Sequence, residues 1–271
     1  MKKRLGITFW LLTTLGYASS FYNEPWLPPL WEFQSLVGFF YEHENRVQTP
    51  KGSFNEPAND YVTQLSLAVT PWPDWYVQAD VLITKTTGIP FSYESSFWTV
   101  RRLWLDGLNG DLFTLATGVV AFFPGNRYLS DLSSFYHGNA NVEFEIIIGK
   151  EWAHGEEWFT RVWALGGIGT ANRGMPWIPI YAVWEFNLND CQLSLYTDML
   201  FGLGRNDIIP DRPFKGYALI GHRNIDLGAF LTYQLGCFGS LVVEGWYNIY
   251  AHNSIENYFG GGVSLIIPFG F

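Results

Sequence analysis

The feature that most constrains this chain is a rhythm of two that recurs in stretches of about ten residues. In NVEFEIIIG, Val142, Phe144, Ile146 and Ile148 alternate with Asn141, Glu143 and Glu145. In YVQADVLIT, Val77, Ala79, Val81 and Ile83 alternate with Tyr76, Gln78 and Asp80. IYAVWEFNL and CQLSLYTDMLF repeat the pattern, with Ile180, Ala182, Trp184 and Phe186, then Leu193, Leu195, Met199 and Phe201, on the apolar side. Successive side chains of an extended strand point to opposite faces, so each stretch reads as a strand with one greasy face and one polar face.

Composition decides what the greasy faces meet. Apolar residues make up 48% of the chain and aromatics 18%, while charged residues reach only 15%. Soluble domains usually carry roughly 25% charged residues, so this chain is short of the material that covers a water-facing surface. Beyond the N-terminus no uninterrupted apolar run is long enough for a membrane-crossing helix, which takes roughly 20 residues. A closed antiparallel barrel satisfies both facts. Every backbone group is paired around the ring, and only every second side chain touches lipid. A secreted β-sandwich also alternates, but it would not call for the aromatic load or the scarcity of charge.

The expected architecture is therefore all-β, a transmembrane up-and-down barrel of about twelve strands. They fall near 33–42, 60–70, 75–85, 96–106, 111–123, 140–150, 157–169, 177–188, 191–203, 214–235, 240–250 and 257–271. Short connections (TPWPDW, DGLNGD, KEWAHGEEW, LNDC and GCFG) alternate with longer ones, especially 43–59 and 124–139. An even count places both termini on the short-turn, periplasmic side. Trp72, Trp75, Trp152 and Trp158 lie near those turns, where an aromatic girdle is expected. Adjacent Arg101 and Arg102 require one of the two to face outward, near a membrane edge or at a bulge.

The N-terminus, MKKRLGITFWLLTTLGYASS, has three basic residues, a short apolar stretch and then small residues. Residues 1–20 read as a secretory signal peptide, residues 21–32 as an N-terminal periplasmic segment serving as a tail or a small plug, and residues 33–271 as the barrel. Removing the signal takes the formal charge from −9 to −12, which argues against nucleic acid as a partner. No cofactor or metal is expected.

The C-terminus, GGVSLIIPFGF, carries Val263, Leu265, Ile267, Phe269 and Phe271 at every second position. With the signal peptide and the alternating strands, this ending resembles the outer-membrane β-barrel proteins of Gram-negative bacteria. The resemblance covers the whole mature chain as architecture and identifies no subfamily. It implies a location in the cell outer membrane, contact with its lipid, and an assembly signal at those five residues for the barrel-assembly machinery.

If lipid takes the apolar set, the lumen receives the other. The inward candidates are Gln64, Gln78, Asp80, Glu143, Glu145, Arg161, Glu185, Asp198, His222, Asp226 and Glu244, with seven acids against one arginine. Such a lumen favours cations if it conducts, and the expected function is a passive channel for ions or small polar solutes. A barrel without a pore, acting as an adhesin or structural component, stands as the alternative. A lipid hydrolase comes third, because His252-Asn253-Ser254 has the i, i+2 spacing that brings a base beside a nucleophile on a strand. His137, in the loop HGN, reads as a turn residue. Cys191 and Cys237 fall at the same rim of neighbouring strands and are expected to be close or bridged as a disulfide.

Overall fold

The computed structural model describes residues 23–270, apart from 155–156, 190 and 211–213. The expected signal peptide and Phe271 lie outside the described residues. Among the described residues, thirteen strands form one antiparallel sheet: β1 (Glu32–Thr49), β2 (Gly52–Trp72), β3 (Trp75–Lys85), β4 (Ser92–Leu105), β5 (Thr114–Pro124), β6 (Asn141–His154), β7 (Glu157–Ala171), β8 (Trp177–Leu188), β9 (Cys191–Gly202), β10 (Arg223–Gln234), β11 (Ser240–His252), the short β12 (Ser254–Glu256) and β13 (Phe259–Gly270). Each long strand pairs with its sequence neighbours, and β1 pairs with both β2 and β13, so twelve strands close a barrel. The seam runs from Glu32↔Gly270 to His43↔Phe259. Closure leaves the wall no unpaired edge, which is what the bilayer interior demands.

The barrel is inverted relative to a soluble protein. Phe39, Trp98, Phe144, Ile146, Ile168 and Trp184 are each more than half exposed, whereas Gln64, Gln78, Arg101, Asn141, Glu185 and Asn248 are at most 2% exposed. Alternation delivers the two sets to opposite faces of the same strands. Exposed Trp72, Trp104 and Trp152 stand at the short-turn rim. Arg101 points inward. Arg102 points outward at that rim, over the Trp104 ring at 4.2 Å and beside Asp74 at 3.2 Å, and so keeps its charge out of the hydrocarbon.

Two segments depart from the sequence expectation. Residues 43–59 do not form a loop. β1 and β2 continue through them as a paired hairpin that turns at residues 50–51 and is bordered by β12, where Val47 pairs with Ile255. The many polar residues there hid strand pairing, because a hairpin rising above the bilayer needs no apolar face. The long strand expected at 214–235 is shorter: β10 begins at Arg223, and the described residues before it, 203–210 and 214–222, lie in loop segments with a 3-10 turn at Tyr217–Leu219. That change keeps the number of barrel strands even.

Candidate functional site

Among the described residues, three spaces can be followed along the interior. The outermost is a vestibule of about 1580 Å³, lined by the β1–β2 hairpin and by residues of the loops at 86–91, 125–140, 172–176 and 203–222. Below it lies a cavity of about 60 Å³. A third space of about 140 Å³ adjoins the second, sharing Leu82, Asp198 and Leu200 in its wall, and extends to Asn23.

The partition between vestibule and interior is the loop at 125–140. Asp131 and Leu132 face the vestibule, while Ser133, Ser134, Phe135 and Tyr136 line the cavity beneath. This loop folds inward because it carries its own apolar cluster. Phe135 stacks on Tyr217 at 4.7 Å between ring centres, and His137 lies on Trp177 at 4.1 Å. The Tyr136 hydroxyl donates to the Glu94 carboxylate and shares a hydrogen bond with the Ser95 hydroxyl, each at 2.8 Å, and the Tyr217 hydroxyl donates to the Leu132 carbonyl at 2.8 Å. Thr86 ties Asp131 to the wall at 2.9 Å. His137 and His222, with ring centres 5.2 Å apart, are both fully buried in this packing. Burial, and secondarily the neighbouring His222, pulls the His137 pKa down to about 3, and burial with the nearby His252 does the same to His222.

At the periplasmic end the N-terminal segment enters the barrel. Asn23 accepts a hydrogen bond from the Arg101 guanidinium, and Glu24 lies 3.9 Å from Arg161. Arg161 is held between Trp26, at 4.7 Å, and Trp158, at 4.2 Å, and pairs with Glu151 at 2.6 Å. Pro25 and Trp26 rest on the wall at Gly149, where a Cβ would come within 2.6 Å of Pro25. A second glycine, Gly118, leaves room for the buried Arg101–Glu145 pair (3.3 Å), since its Cβ would stand 3.0 Å from both side chains. Residues 23–27 are therefore part of the interior rather than a tail beneath it.

The eleven inward candidates can now be placed. Gln64, Gln78, Asp80, Glu145, Glu185, His222, Asp226 and Glu244 are buried, and Glu143, Arg161 and Asp198 are partly buried. Gln78 and Gln64 donate to Asp80 at 2.7 and 3.4 Å, and Ser194 donates to Glu185 at 3.4 Å. Glu143 accepts a hydrogen bond from the Trp177 indole. Asp226 accepts from Tyr258 at 2.6 Å and from Asn248 at 2.8 Å. His222 stands in the 203–222 loop rather than on a strand. Gln64, Asp80, Glu143, Glu145 and Asp198 come together around the third space, and Asp198 and Asp226 line the second.

The sequence reading missed Glu42, Glu44, Asp60 and Glu94, all buried. They fall at the margins of the strands expected there. The available signal was the inward series Leu36, Phe40, Glu42, Glu44, which keeps period two across the expected strand end.

Two other expectations are corrected. Cys191 and Cys237 are free thiols, one half-buried and the other exposed. Cys191 pairs in register with Tyr233, whereas Cys237 lies four residues further on, in the 3-10 turn at Gly236–Phe238 that projects beyond the wall. The turn carries Cys237 past its neighbour. His252 and Ser254 do not share one face of a continuous strand. Asn253 between them has a φ of 57°, which breaks the extended geometry, and the Ser254 hydroxyl donates to the Arg223 carbonyl at 3.2 Å.

A closed twelve-strand barrel with an apolar exterior, aromatic rims and a polar interior belongs to the outer-membrane β-barrel class and is porin-like in architecture. No protein-family model and no curated protein matches the sequence. Among solved structures, the chain is similar to the COG4313 outer membrane channel from Pseudomonas putida F1, at TM-score 0.69 and 10% identity, over 90% of this chain and 97% of that one. It is also similar to the NanC porin (TM-score 0.54, 12% identity, 85% and 98% coverage). A third similar structure is the translocator domain of the autotransporter NalP from Neisseria meningitidis (TM-score 0.51, 11% identity, 88% of each chain). At such identities the likeness establishes the fold.

Proposed function

We propose that this protein is a passive outer-membrane channel for ions or small polar solutes, with cations favoured. The carrying observation is the distribution of charge along the interior. Arg101 and Arg161 sit at the periplasmic end with acidic partners, and in the vestibule Lys51, Arg127, Arg173, Arg205 and Lys215 are interspersed with Glu44, Glu56, Asp131 and Asp207. The middle cavity is lined by Glu42, Asp60, Glu94, Asp198 and Asp226 and by no lysine or arginine. A confined stretch of one sign, walled by low-dielectric material, concentrates ions of the opposite sign. The infolded 125–140 loop sets the width on one side and residues 23–27 narrow the other, which suits small solutes rather than polymers. The outward side chains of β13, continued by Phe271, are proposed as the segment read by the barrel-assembly machinery.

Reconstitution in planar bilayers under a potassium chloride gradient tests this reading. Discrete conductance steps with a reversal potential on the cation side are expected. An anion-side reversal potential overturns the selectivity, and the absence of steps, together with no swelling of solute-loaded liposomes, overturns the channel.

A further inference from the structure

The middle cavity has a property that a merely hydrated lumen does not require. Glu42 of β1 stands directly opposite Asp60 of β2 in register, and Asp198 of β9 stands directly opposite Asp226 of β10. Both pairs line the same space of about 60 Å³, and Glu94 is part of the same lining. Like charges placed directly across a ladder destabilise a sheet, and buried carboxylates normally have a basic partner. The Arg101 and Glu145 pair shows that this barrel supplies one where a carboxylate is to be neutralised from within. The middle cavity has no such residue in its lining.

A second observation is independent of the clustering. Asp60 is 3% exposed; Ser133 of the loop serves its carboxylate as a hydrogen-bond partner, but the Oδ1 atom is fully buried without one. Such an oxygen forfeits its hydration for nothing unless a donor from outside the chain reaches it. Asp226, by contrast, is saturated by Tyr258, Asn224 and Asn248. The cavity therefore combines a fixed acidic wall with an acceptor left open on the opposite side.

The remaining lining indicates the kind of donor. Among the described residues, no group of three or more Asp, Glu, His or Cys is arranged to hold a metal ion. The carboxylates surround a space rather than converge on a point. Phe135, Tyr136 and Tyr258 complete the wall; aromatic faces attract an ammonium group and pack a short hydrocarbon body. The volume accommodates a short amine or a few water molecules. We infer that the cavity beneath the 125–140 loop is a binding site for a protonated primary amine, its ammonium hydrogens shared between Asp60 and the facing carboxylates. This deepens the cation-channel reading by naming a solute class, but occupancy of the site does not depend on conduction.

Calorimetric titration of the refolded full-length protein in detergent with ethylammonium chloride, at constant ionic strength, tests the site. Saturable binding near one equivalent is expected, weakened at least tenfold in Asp60→Asn and in Glu42→Gln, and unchanged in Glu185→Gln, which lies outside this cavity. The isosteric amides preserve shape, and circular dichroism with heat-modifiable gel mobility verifies that each variant forms a barrel. Absence of saturable binding, equal binding in Asp60→Asn, or displacement by equimolar magnesium would overturn the assignment. Ethylammonium binding to a barrel that conducts anions or nothing would overturn the channel reading and leave the site standing. Cation conduction without ethylammonium binding would do the reverse.

Discussion

His137, in the loop that crosses the lumen, lies face to face with Trp177 at the start of β8, their rings 4.1 Å apart and 13° from parallel. The contact joins the infolded loop to the wall through a group that can acquire charge.

Acid should weaken that contact. The docked His137 has a pKa near 3, depressed first by burial and then by His222, against about 6.5 for a hydrated imidazole. Its docked form is therefore the neutral one. Stability is complete above about pH 6.5 and is lost progressively as the pH falls towards 3. By pH 5 the cost is roughly 2 kcal/mol for this ring. The titratable groups around the pair are His252 beside His222, Tyr217, Glu143, whose carboxylate accepts from the Trp177 indole, and Glu44 and Asp131 near Tyr217; none of these side chains is hydrogen-bonded to either imidazole. Single-channel conductance should rise between pH 7.5 and pH 5, and His137→Phe, which retains the stacking without the titration, should flatten the rise.

The periplasmic end should open when its occupant is removed. Deleting residues 23–27 takes away Trp26 and the contacts of Asn23 and Glu24 with Arg101 and Arg161. Gly149→Leu should displace the same segment by filling the space beneath Pro25. Both changes should raise unitary conductance about equally in bilayer recordings. A deletion without effect would mean that the segment does not limit flow.

Arg101 is 1% exposed and Glu145 6% exposed, so removing one partner leaves a buried charge. Arg101→Ala should cost about 3–5 kcal/mol of stability, whereas replacing the pair by Met and Gln together should cost much less. Urea unfolding of the protein in lipid vesicles measures both.

Free thiols should be countable. Maleimide labelling of unreduced, folded protein should modify Cys237 quickly, because it is exposed in its turn, and Cys191 more slowly. Intact mass after labelling under denaturing, non-reducing conditions should show two adducts. A mass with none would restore the disulfide.

How much of this was legible beforehand depends on the range of the physics involved. Alternation is local. Val142 to Ile148 must show one face and Asn141 to Glu145 the other whatever the neighbours are, so the barrel, the approximate strand positions and the buried polar set follow from residue order. The same locality failed at residues 43–59, where pairing between two polar strands depends on a partner rather than on a pattern.

The sequence by itself determined that this chain closes into a membrane barrel with acids inside, because period two and the scarcity of charge leave the backbone no other way to satisfy itself in lipid. Only the tertiary structure decided which acids meet. Glu42 and Asp60 are 18 positions apart and Asp198 and Asp226 are 28 apart, yet strand register sets the members of each pair opposite one another and barrel closure places both pairs around one cavity. Loop docking and the inward N-terminal segment belong to the same category, since Phe135 on Tyr217 and Trp26 over Arg161 are contacts between residues more than 80 positions apart that exist only once the ring has closed.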